Sequence, residues 1–196
     1  MGRFTTVDPV YTWRENLVDP QRWNRYAYVR NNPIKYTDPD GKVLRLAQGS
    51  SPQFQRDFAT DVRYLNGAGA SGLIAELERR PELITIRQAG LGLDEYDHNV
   101  RETSWNPRGG VETPSGGRQS PALGFVHESA HAVQDLKNHK QYVSDLARRD
   151  PAFDTAEEKR VILGPESRAA KRLGEAVRKE HNQSKDVVVS APDKVR

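Results

Sequence analysis

The chain has 196 residues, enough for one ordinary domain with an appendage and too few for two full-sized ones. With 35% hydrophobic and 29% charged residues it lies at the polar end of globular composition, so part of its length is expected as linker or tail. A net charge of +3, its Lys and Arg scattered among acids, creates no demand for nucleic acid. The absence of cysteine excludes disulfides, thiolate zinc sites and thiol nucleophiles. A metal would therefore have to be held by His and carboxylate, and neither a secretory leader nor a membrane span is expected.

Residues 1–42 hold Trp13, Trp23, Tyr11, Tyr26, Tyr28 and Tyr36, with Asp-Pro steps at Asp8, Asp19 and Asp38. So many rings and turn formers suggest short strands and tight turns that need a larger partner to cover them. Residues 43–52 are expected as a linker. Phe54, Phe58, Val62 and Leu65 then recur at helical spacing, and SGLIAELERR reads as a second, short helix ending at Pro81. ELITIRQAG alternates like a half-buried strand, with HNVRETSWNP as its β partner, while PRGGVETPSGGRQSP reads as turn and loop.

The stretch GFVHESAHAVQ at 124–134 carries the chemistry. His127 and His131 are about 40° apart on a helix, one turn above the other, so both imidazoles can reach a single ion. Leu123, Val126, Ala130 and Val133 form the apolar strip that would seat this helix, leaving the histidines at a cleft border. Glu128 projects beside His131, placed to act on a metal-bound water as a base. This is the H-E-x-x-H pattern of zinc peptidases, in which the metal brings its water's pKa to about 7.

A catalytic zinc needs a third protein ligand. In ILGPESRAAKRLGEAVRKEHN, Pro165 suits a first helical turn. Glu166 falls at the centre of the stripe Ala169, Ala170, Leu173, Ala176 and Val177, which makes it the leading candidate. A first-turn glutamate that merely complements the helix dipole is the plainer reading. Glu158 is explained as the partner of Thr155 in a capping box, and Glu157 has no assigned role. His181, Arg178 and Tyr142 are candidates for polarising a substrate carbonyl, and His98 and His139 are expected as exposed polar residues.

GRFTTVDPV and NLVDPQRWNRYAYVRNNPIKYTDPDGK resemble the closing stretch of the Rhs (YD-repeat) core, the segment that seals the β-cage of large secreted proteins. That resemblance implies a toxin following the core, released by self-cleavage in which Asp38 and Asp8 would serve, although Lys42 stands where the family usually has leucine. PALGFVHESAHAVQDL and EEKRVILGPESRAAKRLGEAVRKEH look like the HExxH metallopeptidase toxins of Rhs proteins, and more distantly like type III effector zinc metallopeptidases.

Together these imply an α+β, zincin-like peptidase domain over 53–182. It would comprise an active-site helix, a small sheet edge and a downstream ligand helix, after a β-rich Rhs remnant at 1–42 and before a polar tail at 183–196. The implied ligands are His127, His131 and Glu166 for Zn2+, with Glu128 as base. Substrate backbone would lie along TSWNPRG or ELITIRQ. The implied partners are a protein substrate in a recipient cytoplasm, a cognate immunity protein in the producer and the parent Rhs cage, with secretion as the C-terminal part of an Rhs protein. The alternatives are an Rhs-associated nuclease, with His127 as general base, and a non-catalytic, metal-stabilised binding domain.

Overall fold

Strand β1 is Tyr36–Thr37 and β2 is Leu44–Leu46, followed by helices α1, Pro52–Gly67, and α2, Gly72–Glu78. These belong to a computed structural model that describes residues 36–37 and 44–195. The expected self-cleavage residues Asp8 and Asp38 lie outside the described residues. Helix α1 starts where expected. Ser51 accepts the Phe54 N–H, Pro52 opens the first turn, and Phe54, Phe58 and Leu65 turn inward.

Strands β3, Ile84–Gln88, β4, Glu95–Asp97, and β5, Glu102–Trp105, complete a five-stranded sheet in the order β1-β2-β3-β5-β4. The two inner pairings, β2 with β3 and β3 with β5, are parallel, and both outer pairings are antiparallel. ITIRQ and ETSW are therefore neighbours, as read from the sequence. The expected linker, however, contains β2, because Leu44 and Leu46 alternate into the core beside Ile84 and Ile86. Since β3 and β5 are interior strands, neither of the segments expected to offer an edge does so; among the described residues the edge strands are β1 and β4.

The run expected as loop folds as the hairpin β6, Gly109–Glu112, and β7, Arg118–Gln119. Gly110 permits this approach, since a Cβ there would lie 2.8 Å from the Gln119 carbonyl oxygen. The expected polar tail is also structured. Strand β10, Lys185–Val188, pairs antiparallel with β6, Val189 is 3% exposed, and the Pro192 carbonyl accepts the Ala122 N–H.

The long helix α3, Pro121–Ala147, is capped by Ser120 and breaks at Asn138, where φ is −155° and ψ 75°. The Asn138 side chain accepts the Gln141 N–H and so starts the second arm anew. The first arm is anchored by Trp105, which is fully buried among Phe54, Phe58 and Phe125 and whose indole N–H donates to the Pro121 carbonyl. A small ladder of β8, Arg149–Asp150, and β9, Asp154–Thr155, leads into α4, Ala156–Val161. The chain continues through a π-turn, Ile162–Glu166, into α5, Ser167–Leu173, which ends at Gly174 in the left-handed region. Pro165 thus sits inside a π-turn and does not open a helix. Among the described residues no helix is long and apolar enough to cross a membrane.

Because β10 and Val189 close the smaller sheet, deleting residues 184–196 is expected to lower stability by more than about 2 kcal/mol. Urea unfolding of the truncated chain against the full one measures this; a polar tail without structural role would leave the midpoint unchanged.

Candidate metal centre

His127 and His131 project from the first arm of α3, one turn apart, and are 6% and 4% exposed. Their Nε2 atoms stand 3.1 Å apart. Two nitrogens about 2.0–2.1 Å from one tetrahedral ion would be separated by about 3.3 Å, so the spacing suits a shared ligand. The third group at this point is Glu158 of α4. Its Oε2 lies 3.1 Å from His127 Nε2 and its Oε1 3.1 Å from His131 Nε2. Glu158 Oε2, although buried, makes no well-directed hydrogen bond. Ligand atoms of these three residues lie within 4.8 Å of one another, a donor set that could hold a metal.

The outer nitrogens fix the tautomers. Nδ1 of His127 is 2.7 Å from Glu166 Oε2, and Nδ1 of His131 is 3.0 Å from Glu157 Oε1. An imidazole that donates its Nδ1 proton to a carboxylate presents a lone pair at Nε2. Both carboxylates are in turn gripped by arginine. Arg178 donates to Glu166 at 2.9 and 2.5 Å, and Arg160 donates to Glu157 at 2.7 and 2.5 Å. Gln119 adds a bond to Glu166 at 2.9 Å, and Arg160 also reaches the Ala130 carbonyl, tying α4 to α3.

This arrangement differs from the expected one. Glu166, read as the third ligand, stands behind His127 on its Nδ1 side, and the buried partners it needed are His127, Arg178 and Gln119. Glu158 does take its capping bond, its N–H donating to Thr155 Oγ1 at 3.1 Å, but its carboxylate turns to the two Nε2 atoms. Arg178, read as a substrate contact, is 8% exposed and faces Glu166. Glu157 is fully buried, a role that its place in TAEEKR did not announce beyond an acid three residues before Arg160. His181 comes near because the chain turns at Gly174 instead of continuing a helix. Its Nε2 is 3.9 Å from Glu158 Oε2.

Electrostatics follow from this crowding. Burial works against a charged His127, but Glu158 and Glu166 outweigh it and push its pKa up to about 10; His131 is raised by Glu157 and Glu158 in the same way. Glu158 is buried too, yet the two imidazoles hold it well below the usual carboxylate range, as Arg178 holds Glu166. Glu128 is 7% exposed, with Oε1 4.0 Å from His127 Nε2, and burial raises its carboxyl. Asp94, beside it, is pushed up to about 7, chiefly by burial.

These residues line a cleft of about 420 Å³ with Tyr142, His98 and β4. His98 meets the Tyr142 ring edge-on and lies tilted against His139, while His139 is exposed and bonds Asp135. A larger cleft of about 750 Å³, bordered by Tyr64, Arg118 and Glu175, lies elsewhere and holds no comparable donor set. Comparison of the chain with family models, curated proteins and solved structures finds no match.

Glu158→Ala is expected to abolish zinc retention, whereas Glu166→Gln should weaken affinity by about 10–100-fold, the usual cost of losing a hydrogen-bond partner behind a ligating imidazole. Competition with a chromophoric chelator ranks the two, and the reverse order would return the ligand role to Glu166. Because His127 carries a proton near neutral pH in metal-free protein and must be neutral to ligate, zinc uptake at pH 7.5 should release about one to two protons. Calorimetry in buffers of differing ionisation enthalpy counts them.

Proposed function

We propose that the chain is a zinc-dependent endopeptidase toxin, carried behind the end of an Rhs core and acting on a protein of a recipient cell. The observation that carries the reading is the meeting of His127, His131 and Glu158 at one buried point, with Glu128 beside it in the same cleft. His2Glu is the ligand set of catalytic zinc that keeps an open position, and zinc bound there supplies a Lewis acid and a water of lowered pKa.

Glu128 takes the proton of the attacking water and returns it to the leaving amine; its raised pKa brings donor and acceptor roles closer to neutral pH. Tyr142 and His181, which both line this cleft, are placed to donate to the substrate carbonyl as negative charge builds on it. Strand β4, an edge strand of its sheet among the described residues, lies along the cleft and suits extended peptide backbone. A nuclease is disfavoured by the lining itself: Asp94, Glu95, Asp97 and Glu128 face the cleft without Lys or Arg, which repels a phosphodiester. Delivery and a cognate immunity protein rest on the Rhs resemblance of residues 1–42.

Zinc-loaded wild type and Glu128→Gln, added to a bacterial lysate, test the reading by mass spectrometry of newly formed N-termini. Both should hold about one zinc, with cleavage reduced about 10²–10⁴-fold in the variant and growth arrest on cytoplasmic expression confined to wild type. Equal cleavage by the variant would sink the peptidase reading.

A further inference from the structure

The helix that carries the metal centre holds one more histidine beyond it. His139 follows Asp135 by four residues, and the two side chains meet across the break in α3 at Asn138. Asp135 is 5% exposed and has two partners: the Tyr96 hydroxyl donates to its Oδ2 at 2.8 Å, and His139 Nδ1 lies 2.5 Å from its Oδ1. A buried carboxylate anchored in this way takes the Nδ1 proton and leaves the lone pair of His139 at Nε2, on the far side of an exposed ring. Glu166 and Glu157 treat His127 and His131 in the same manner.

A second imidazole stands at that ring. His98, in the turn after β4, has its ring centre 5.8 Å from that of His139, the planes inclined by 48°. Two imidazoles that share one tetrahedral ion at about 2.0–2.1 Å keep their centres about 5–6 Å apart, so the pair already has the spacing of shared ligands. His98 is half-buried and lines the cleft, and the Tyr142 ring meets both His98 and His131 edge-on, with centres 5.5 and 6.3 Å away. The pair therefore lies at the outer end of the same cleft, apart from His127, His131 and Glu158. No third His or carboxylate joins it among the described residues. Imidazole alone suits Zn2+, Ni2+ or Cu2+ and offers nothing to Mg2+ or Ca2+, and two protein ligands hold an ion less tightly than three.

We propose that His98 and His139 form a second, weaker zinc site at the outer end of the cleft, and that an ion held there ties the turn after β4 to the second arm of α3. Tyr142 and Leu146 of that arm line the cleft, so the ion restrains one of its walls. The inference goes beyond the peptidase reading and does not depend on it.

Titration of Zn2+ into the full chain already holding one equivalent, followed by calorimetry, tests the site. Wild type should take up a second zinc at least about tenfold more weakly than the first, and Mg2+ should give no such uptake. His98→Ala and His139→Ala should each keep the first zinc, which reports an intact centre, and lose the second. His139→Gln, which still offers Asp135 a donor, replaces the alanine variant should that one fail to fold. In wild type the second zinc should slow amide exchange about tenfold at residues 98–100 and 139–147, and in neither variant should it do so. No second uptake, or a second uptake that survives in either variant, would overturn the site. Uptake without slowed exchange would overturn the tie between turn and helix arm.

Discussion

Two imidazole nitrogens 3.1 Å apart, each facing the same carboxylate, form an arrangement that needs positive charge at its centre. With both Nδ1 protons given to glutamates, three sets of lone pairs converge in a buried place, and their repulsion is relieved only by protons or by a cation. Metal-free protein takes the first solution, which is why His127 holds its proton so firmly. A divalent ion takes the second and must expel that proton to do so. The rest of the fold serves to keep those three groups from swinging apart.

Two parallel relays hold them, each running arginine, glutamate, histidine. Arg178 and Glu166 steady His127, and Arg160 and Glu157 steady His131. Buried ion pairs of this kind bring little net stability, because desolvating both charges offsets most of the attraction. Their value is geometric, since a guanidinium grips a carboxylate in a fixed plane and the carboxylate fixes the ring. The relays also join segments distant in sequence: Arg160 reaches back to the Ala130 carbonyl, and Gln119 of β7 reaches Glu166. Close by, Glu175 accepts from Ser120 N–H and hydroxyl and from Tyr64, clamping the start of α3 to the chain leaving α5.

Much of this was legible in the sequence where periodicity is strong. The spacing of Phe54, Phe58 and Leu65 gave α1, and the alternation around Ile84 and Ile86 gave β3. The strip Leu123, Val126, Ala130 and Val133 gave the seating of α3 and with it the two histidines. What escaped were features without period. Short strands such as β2, β6 and β10 have too few residues to alternate visibly, and glycine-rich composition hid a hairpin that Gly110 makes possible. The carboxylates were harder still. The apolar stripe points Glu166 inward, where it is indeed buried, but burial does not say which nitrogen of which histidine a carboxylate meets, and a satisfied capping pattern conceals Glu158 because its backbone caps while its side chain turns to the two imidazoles.

That pairing of roles follows from one helical run. Residues 156–173 are continuous through α4, the π-turn and α5, and Glu158 and Glu166 lie eight residues apart within it, about 12 Å of rise in a regular helix. Both nevertheless touch the same imidazole, Glu158 at Nε2 and Glu166 at Nδ1. Their long side chains must therefore converge on His127 from opposite ends of the segment, with the widened π-turn between them. The wider turn displaces the residues after Ile162 from regular α-helical phase, and Pro165, with no N–H to donate, suits a stretch where the regular bonding is already interrupted. A straight helix through Ile162–Glu166 would rotate Glu166 relative to Glu158 and set the two carboxylates in competition with the packing of Ala169 and Ala170. The irregular turn is thus what lets one run of chain both approach the metal position and brace the ring opposite it.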